Sequence, residues 1–434
     1  MNQFTFQASE KKLFGGLMGL GVLCLLIAFF WGEPAQIAEA GTHARFWSNF
    51  LHNAVFFTGI GFIALMTLAG FVTAYAGWFV NFKRVFEAYS QFLVPGLLLM
   101  LLVIAGIWGH FHHLYHWADE AAVAADPILQ GKSSFLNKYW YTFGTLLIVG
   151  AWIFFAKKIR ALSIAEDSAA KGDYSYHYKI RFWSAIFLPI AAFSSAAIIW
   201  QWVMSLEAHW YSTLFAWYCT ISWFVASIAL IILTLIYLKS RGYFPTVTEE
   251  HLHDLGKYMF AFSIFWTYLW YSQYMLIWYS NVGEETIFFK FRVDNFGVLH
   301  YGNLILNFML PFLILMRNTT KRRYGTLIFT SIICLFGHWW DYFYIIKPAV
   351  LKGAQEVLAH GAEAHGHAEA LGYVGGFTVP GLLEIGTLLG FLGLFFWVVF
   401  RQLEKAQLEA TNDPYYEEAV HHEVMPDYSG EGGH

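Results

Sequence analysis

Apolar runs alternate with short polar stretches along almost the whole chain, and most are too long for the core of a soluble domain. They cover Leu13–Trp31, Ala54–Val80, Phe92–Trp108, Tyr139–Phe155, Phe182–Met204, Tyr211–Leu238, Met259–Tyr279, Val298–Met316, Leu327–Ile346 and Val379–Phe400. Each is close to or above the ~20 residues that an α-helix needs to cross a bilayer. Lipid offers no partner to an open backbone, so such runs predict helices, not isolated strands. The pattern therefore predicts an all-α polytopic membrane protein with ten transmembrane helices. Residues 1–400 form one membrane domain, and 401–434 form a polar cytoplasmic tail.

Composition sharpens this reading. The chain is 58% hydrophobic, 20% aromatic and only 13% charged, too few charges to solvate two or three soluble domains. A net charge of −4 argues against nucleic acid as a partner. The first run precedes a small-residue stretch, "GEPAQIAEAG", but exceeds the apolar core of a signal peptide and is expected to be retained. Basic residues set the orientation. Among the 26 lysines and arginines, all but Arg45, Lys132, Lys138, Lys290, Arg292, Lys347 and Lys352 fall on the side that carries both termini. The positive-inside rule makes that side cytoplasmic.

Residues 200–218, "WQWVMSLEAHWYSTLFAWY", place Glu207 and His209 among aromatics. They fall in the turn between the fifth and sixth runs, at the outer interface, where tryptophan and tyrosine collect. Cys24, Cys219 and Cys334 are isolated, so no disulfide, haem-attachment or iron–sulfur motif is present, nor is a nucleotide-binding glycine loop. His110, His112, His113 and His116 have usable ligand spacing but lie where the third run leaves the membrane, and are read as a surface cluster. The outer loop with His360, His365 and His367 is compositionally biased. A haem b would need two histidines at one depth, and His300 and His338 match poorly. No metal site or bound cofactor is expected in this chain.

Ionisable residues inside a bilayer are costly and mark functional positions. In the ninth run, Ser331, Cys334, His338, Asp341 and Tyr342 follow helical spacing, and Asp341 lies one turn beyond His338. In the eighth, His300, Asn303, Asn307 and Pro311 share a face, and Pro311 frees a backbone carbonyl. The tenth contributes Glu384. Glu207, His209, His300, His338, Asp341 and Glu384 all lie in the outer half, which predicts a polar cavity open to the outside. The inner half is expected to offer only hydroxyls, amides and aromatics.

Three motifs, "VMSLEAHWYSTLFAWY", "YSQYMLIWYSNVGEET" and "GHWWDYFYIIKP", resemble the ActF-type integral membrane subunit of alternative complex III, over essentially the whole chain. ActF-type subunits are related to the ActC type and, more distantly, to NrfD/polysulfide-reductase membrane subunits. The resemblance implies two four-helix bundles, helices two to five and six to nine, flanked by helices one and ten, in a bacterial plasma membrane. It also implies a complex that oxidises menaquinol. Electrons then pass through iron–sulfur clusters and c-type haems on other subunits to a periplasmic carrier or directly to a terminal oxidase. The ActC-type paralogue is assigned the quinol site, and the ActF type a proton-conducting or structural role.

The expectation is thus a cofactor-free, non-redox subunit of a quinol:cytochrome c oxidoreductase. Its proton path would run through Asp341 and His338 as the central relay and include Asn307, with Glu384, His300, Glu207 and His209 at or towards the outer mouth. The alternatives are a quinone-binding subunit in its own right and a scaffold for the ActC-type paralogue and haem subunits. Orientation has a direct check. A cysteine placed at Ala364 should react with an impermeant thiol reagent in intact cells and one at Gly433 should not; the reverse pattern overturns the topology.

Overall fold

The computed structural model describes residues 3–361 and 372–424. The histidine loop with His365 and His367, and the last residues of the tail, lie outside the described residues. Long helical segments run back and forth: α1 (Ala8–Phe30), α2 (Ala44–Thr73), α3 (Val80–Trp108), α4 (Lys138–Glu166), α5 (Ser175–Trp202), α6 (Thr213–Ser240), α7 (Glu249–Ser280), α8 (Gly297–Leu315), α9 (Tyr324–Gly361) and α10 (Leu382–Leu403). A short helix, Gly283–Asn295, joins α7 to α8. Among the described residues the only strand-like feature is an isolated bridge between Gly375 and Val379.

Eight of these segments are long and apolar enough to cross a membrane. The other two, α7 and α9, span 32 and 38 residues but are rich in tryptophan, tyrosine and histidine, which lowers their hydropathy. Large apolar side chains cover the outside: Leu23 and Leu26 on α1, Phe182 and Phe193 on α5, Tyr268 and Leu276 on α7, and Leu313 on α8 are all exposed. A polypeptide with this surface belongs in lipid. It is an all-helical polytopic membrane protein.

The interior is organised around α2 and α6, both buried along most of their length. They touch directly: Ser227 donates to the carbonyl of Ile60 (3.3 Å), and a Cβ on Gly59 would lie 1.9 Å from the Trp223 ring. Only glycine leaves room for that indole. On the periphery, α1 crosses α10 where Gly21 meets Gly390, and a Cβ on either would approach the other's Cα to 2.5 Å or less. With little hydrophobic drive between helices in lipid, such backbone contact is what holds them together.

Pro311 shapes α8. It has no N–H to give the carbonyl of Asn307, and the helix widens into a π turn over Ile305–Met309, where the Leu310 N–H reaches back to Ile305. This turn rotates Asn307 into the interior, fully buried.

The end that carries both termini departs from the expectation of an inner half without ionisable groups. Lys83, Arg84 and Glu87, in the first turns of α3, are 1–3% exposed. Lys83 pairs with Glu166 and Asp413, and Arg84 with Glu87 and Asp167. The polar tail makes this possible. Residues 404–424 pack across the helix ends, with Glu409 accepting from Thr246 (2.9 Å) and Asp254 paired with His422 (2.8 Å). Burial works to raise the pKa of Asp413, but the Lys83 ammonium outweighs it and holds the carboxyl below its usual range.

Replacing Gly390 by leucine should wedge α1 from α10 and destabilise the protein by about 1–3 kcal/mol. The measurement is thermal unfolding in detergent, with Gly390→Ala giving a smaller loss; unchanged melting in both would remove this crossing from the packing account.

Candidate functional site

Asp341, on α9, is a fully buried carboxylate, 0% exposed. Three neighbouring helices send donors to it. From α6 the Tyr218 phenol donates to Oδ1 and the Ser222 hydroxyl to Oδ2 (2.9 Å). From α7 the Trp266 indole donates to Oδ2 (3.1 Å), and from α8 the Asn303 amide donates to Oδ1 (2.6 Å). Tyr218 and Ser222 reach one target because they lie one helical turn apart on α6.

Ser222 also lies 3.0 Å from His338 Nδ1. Its single proton goes to Asp341, so it accepts from His338, which places the imidazole proton on Nδ1. His338 Nε2 is then a bare acceptor in a closed interior, with no partner among the described residues. Asn307 donates to Asn303 (2.6 Å) and to the carbonyl of Gly337 (2.9 Å), tying the π turn of α8 to α9. Asp341, His338 and Asn307 therefore share one hydrogen-bonded group.

From Asp341 towards the face opposite the termini, polar contacts continue. Tyr344, one turn along α9, pairs its hydroxyl with His300 Nδ1 (2.8 Å). The Arg292 guanidinium lies 5.9 Å from the Tyr344 ring centre and donates to the carbonyl of Ile345 (3.1 Å). Arg292, 1% exposed, forms an ion pair with Glu207 (2.5 Å). Glu207 in turn lines a cavity of about 650 Å³, together with His116, Asp119, His209, Lys352 and Glu356. At its edge His209 pairs with Asp126 and holds that carboxyl below the usual carboxylate range.

Glu384 lies elsewhere. Arg45 of α2 clasps it with two bonds (2.9 and 3.0 Å), Asn49 adds a third (3.0 Å), and the Gly381 N–H a fourth (2.9 Å). Lys347 of α9 points into the same region, donating to Ser48 (2.8 Å) with its ammonium 4.7 Å from the Phe377 ring centre. The residues that the sequence view missed fall into two kinds. Arg45, Arg292 and Lys347 look like loop cations at helix ends, yet all three are engaged in the interior. Tyr218, Ser222 and Trp266 carry no charge and sit in aromatic runs; the i, i+4 spacing of Tyr218 and Ser222 was the available signal.

Fold and site define the class: an all-helical polytopic membrane protein with a buried carboxylate network inside the bundle. Compared with known proteins, the chain matches no family model and no curated protein.

The Arg292–Glu207 pair should behave as a buried ion pair. Truncating either partner alone, as Arg292→Met or Glu207→Leu, should cost about 3–5 kcal/mol, because the survivor is left buried and unpaired. Truncating both should cost much less than the sum. A double-mutant cycle by denaturation in detergent checks this, and additivity would mean the two do not interact.

Proposed function

We propose that this chain is the cofactor-free, ActF-type membrane subunit of a quinol-oxidising respiratory complex of the alternative complex III kind. In this reading all of α1–α10 cross a bacterial plasma membrane, with both termini cytoplasmic. The reading rests on the sequence motifs for the family and on one structural observation for the role. That observation is the triad of Asp341, Ser222 and His338, closed off from solvent. It has two proton arrangements. In one, His338 holds the proton on Nδ1, Ser222 accepts it and donates to an ionised Asp341. In the other, His338 has taken up a proton on Nε2 and released its Nδ1 proton through Ser222, so a protonated Asp341 donates to Ser222, which donates to the bare Nδ1. Interconverting them takes in one proton at Nε2 and delivers one to Asp341, the elementary step of a relay.

The surroundings support a hydrated route. Besides His338 Nε2, the buried atoms Asn307 Oδ1, Trp270 Nε1 and Gln273 Nε2 lack protein partners among the described residues. Buried polar atoms of this kind are ordinarily satisfied by water. The chain's partners in this reading are an ActC-type paralogue, iron–sulfur and c-type haem subunits, and a menaquinone pool handled by the complex. The competing scaffold reading draws on the same site: each Asp341 oxygen already accepts two bonds, as a purely structural carboxylate would.

Asp341→Asn separates the two. The amide keeps an acceptor for Tyr218 and Asn303 but turns an N–H towards Trp266, which should cost about 1–3 kcal/mol and still allow assembly. A relay predicts normal haem content in the complex, with proton release at least tenfold lower and quinol turnover slowed or uncoupled. The measurement is turnover and proton release together in reconstituted vesicles. Unchanged turnover and unchanged proton stoichiometry would make Asp341 a structural residue.

A further inference from the structure

At the end that carries the termini, three residues remote in sequence meet. Glu166 ends α4, His177 lies in the first turn of α5, and Asp413 belongs to the tail. Their side chains are 1%, 9% and 5% exposed. One ring nitrogen and one oxygen from each carboxylate lie mutually within 4.8 Å, and His177 Nδ1 is 4.0 Å from Asp413 Oδ1. We propose that Glu166, His177 and Asp413 form a divalent-cation site that clasps the carboxy-terminal tail to α4 and α5.

The division of oxygens carries the proposal. Lys83 occupies one oxygen of each acid, Glu166 Oε2 (3.0 Å) and Asp413 Oδ2 (2.5 Å). The other oxygens remain. Asp413 Oδ1 takes one bond, from the Tyr415 N–H (3.1 Å), and keeps a lone pair facing His177. Glu166 Oε1 is buried with no hydrogen-bond partner among the described residues. A buried carboxylate oxygen without a donor is costly, and a cation would satisfy it. Lys83, Arg84, Arg160 and Arg181 face Glu87, Glu166, Asp167 and Asp413, so with His177 neutral the group carries no net charge, and it is the unpartnered oxygen that calls for a cation.

The donor set selects the ion. One imidazole with two carboxylates suits a first-row divalent cation such as Zn²⁺ or Mn²⁺, whereas Ca²⁺ and Mg²⁺ prefer oxygen alone. Bonds of about 2.1 Å would bring ligand atoms that lie up to 4.8 Å apart to about 3.4 Å of one another, a closure of about an ångström by side-chain rotation. Lys83 would remain beside the ion as a fixed cation. It weakens binding but keeps both carboxylates aimed.

The test uses the full chain in detergent, stripped with chelator and titrated with Mn²⁺ under electron paramagnetic resonance, with Zn²⁺ as competitor. Surface histidines contribute background, so the readout is the difference between variants. Wild type should bind one more ion than His177→Ala or Asp413→Asn, with helix content unchanged. Lys83→Met, which removes the neighbouring positive charge, should bind that ion about tenfold more tightly. Bound ion should also slow tryptic cleavage at the exposed Lys405 in wild type and not in His177→Ala. Equal ion counts in wild type and both ligand variants would overturn the proposal. So would a Lys83→Met protein that gains no affinity, which would mean that the lysine does not share its two carboxylates with a bound ion.

Discussion

A carboxylate in the middle of a greasy bundle must be satisfied by the bundle itself, and Asp341 imposes that demand on three other helices at once. Water solvates such a group at no structural cost. Here the donors are Tyr218 and Ser222 on α6, Trp266 on α7 and Asn303 on α8, each reaching a fixed oxygen on α9. Hydrogen bonds to a charged group contribute about 1.5–3 kcal/mol apiece, and losing one leaves a buried charge short of a partner. Van der Waals packing between smooth apolar helices tolerates sliding by a turn. Four convergent bonds do not. The register of α6, α7 and α8 against α9 is therefore fixed chiefly at this one residue, and the π turn that Pro311 opens in α8 is held in the same place by Asn307, which bonds both Asn303 and Gly337.

The opposite flank of α9 is bound just as firmly to α2. Asn53 accepts from the Trp339 indole (3.0 Å), His52 donates to the Trp339 carbonyl (2.9 Å), and Lys347 reaches Ser48. Further along, Arg45 on the first turn of α2 holds Glu384 at the start of α10. So α9 stands between two polar networks that share no side chain. One network is anchored by a bidentate ion pair and reads as a fastening. The other contains hydroxyls that rotate, an imidazole with a free nitrogen and a helix with a relaxed hydrogen-bond ladder. Adaptable parts of this kind are what proton exchange needs; the α2 flank also has an unpartnered imidazole nitrogen, His52 Nδ1, but only on the α6–α9 side does a hydroxyl, Ser222, link an imidazole to a carboxylate among the described residues.

Most of the architecture was legible because hydropathy has a length scale: the apolar runs coincide with the long helices, and the stripe from Ser331 to Tyr342 is buried as its spacing implied. Aromatic α7 and α9 were also found, since residues that score as polar by hydropathy still form continuous helical faces. Pairing was not legible. Nothing local says that Glu384 belongs to Arg45, more than three hundred residues away, and not to Asp341. Nor does the sequence show that Lys83, which a positive-inside count treats as solvated, lies under the tail. Charge rules average over helix ends, whereas burial depends on which loops and tails cover them. The site was half legible for a related reason: charged members announce themselves, and the neutral donors that satisfy them are hidden among ordinary aromatics.

Glu207 shows how pairing changes a functional argument. As an exposed turn residue it would be one acid among many, and water could bypass it. In the structure it is the counter-ion of Arg292, which stands between the cavity on the face opposite the termini and the Tyr344–His300 pair next to Asp341. A lone buried guanidinium at that point would raise the potential along the approach and oppose any positive charge moving past it. With Glu207 in place the pair is neutral, and the same guanidinium becomes a donor that fixes the α9 backbone at Ile345. Under the proposed relay, then, Glu207 matters less as a proton carrier than as the charge that cancels a barrier. A neutral isostere at this position keeps the shape of the entrance and restores the barrier, so the cost should fall on the rate of proton movement, and it should grow as ionic strength in the cavity drops.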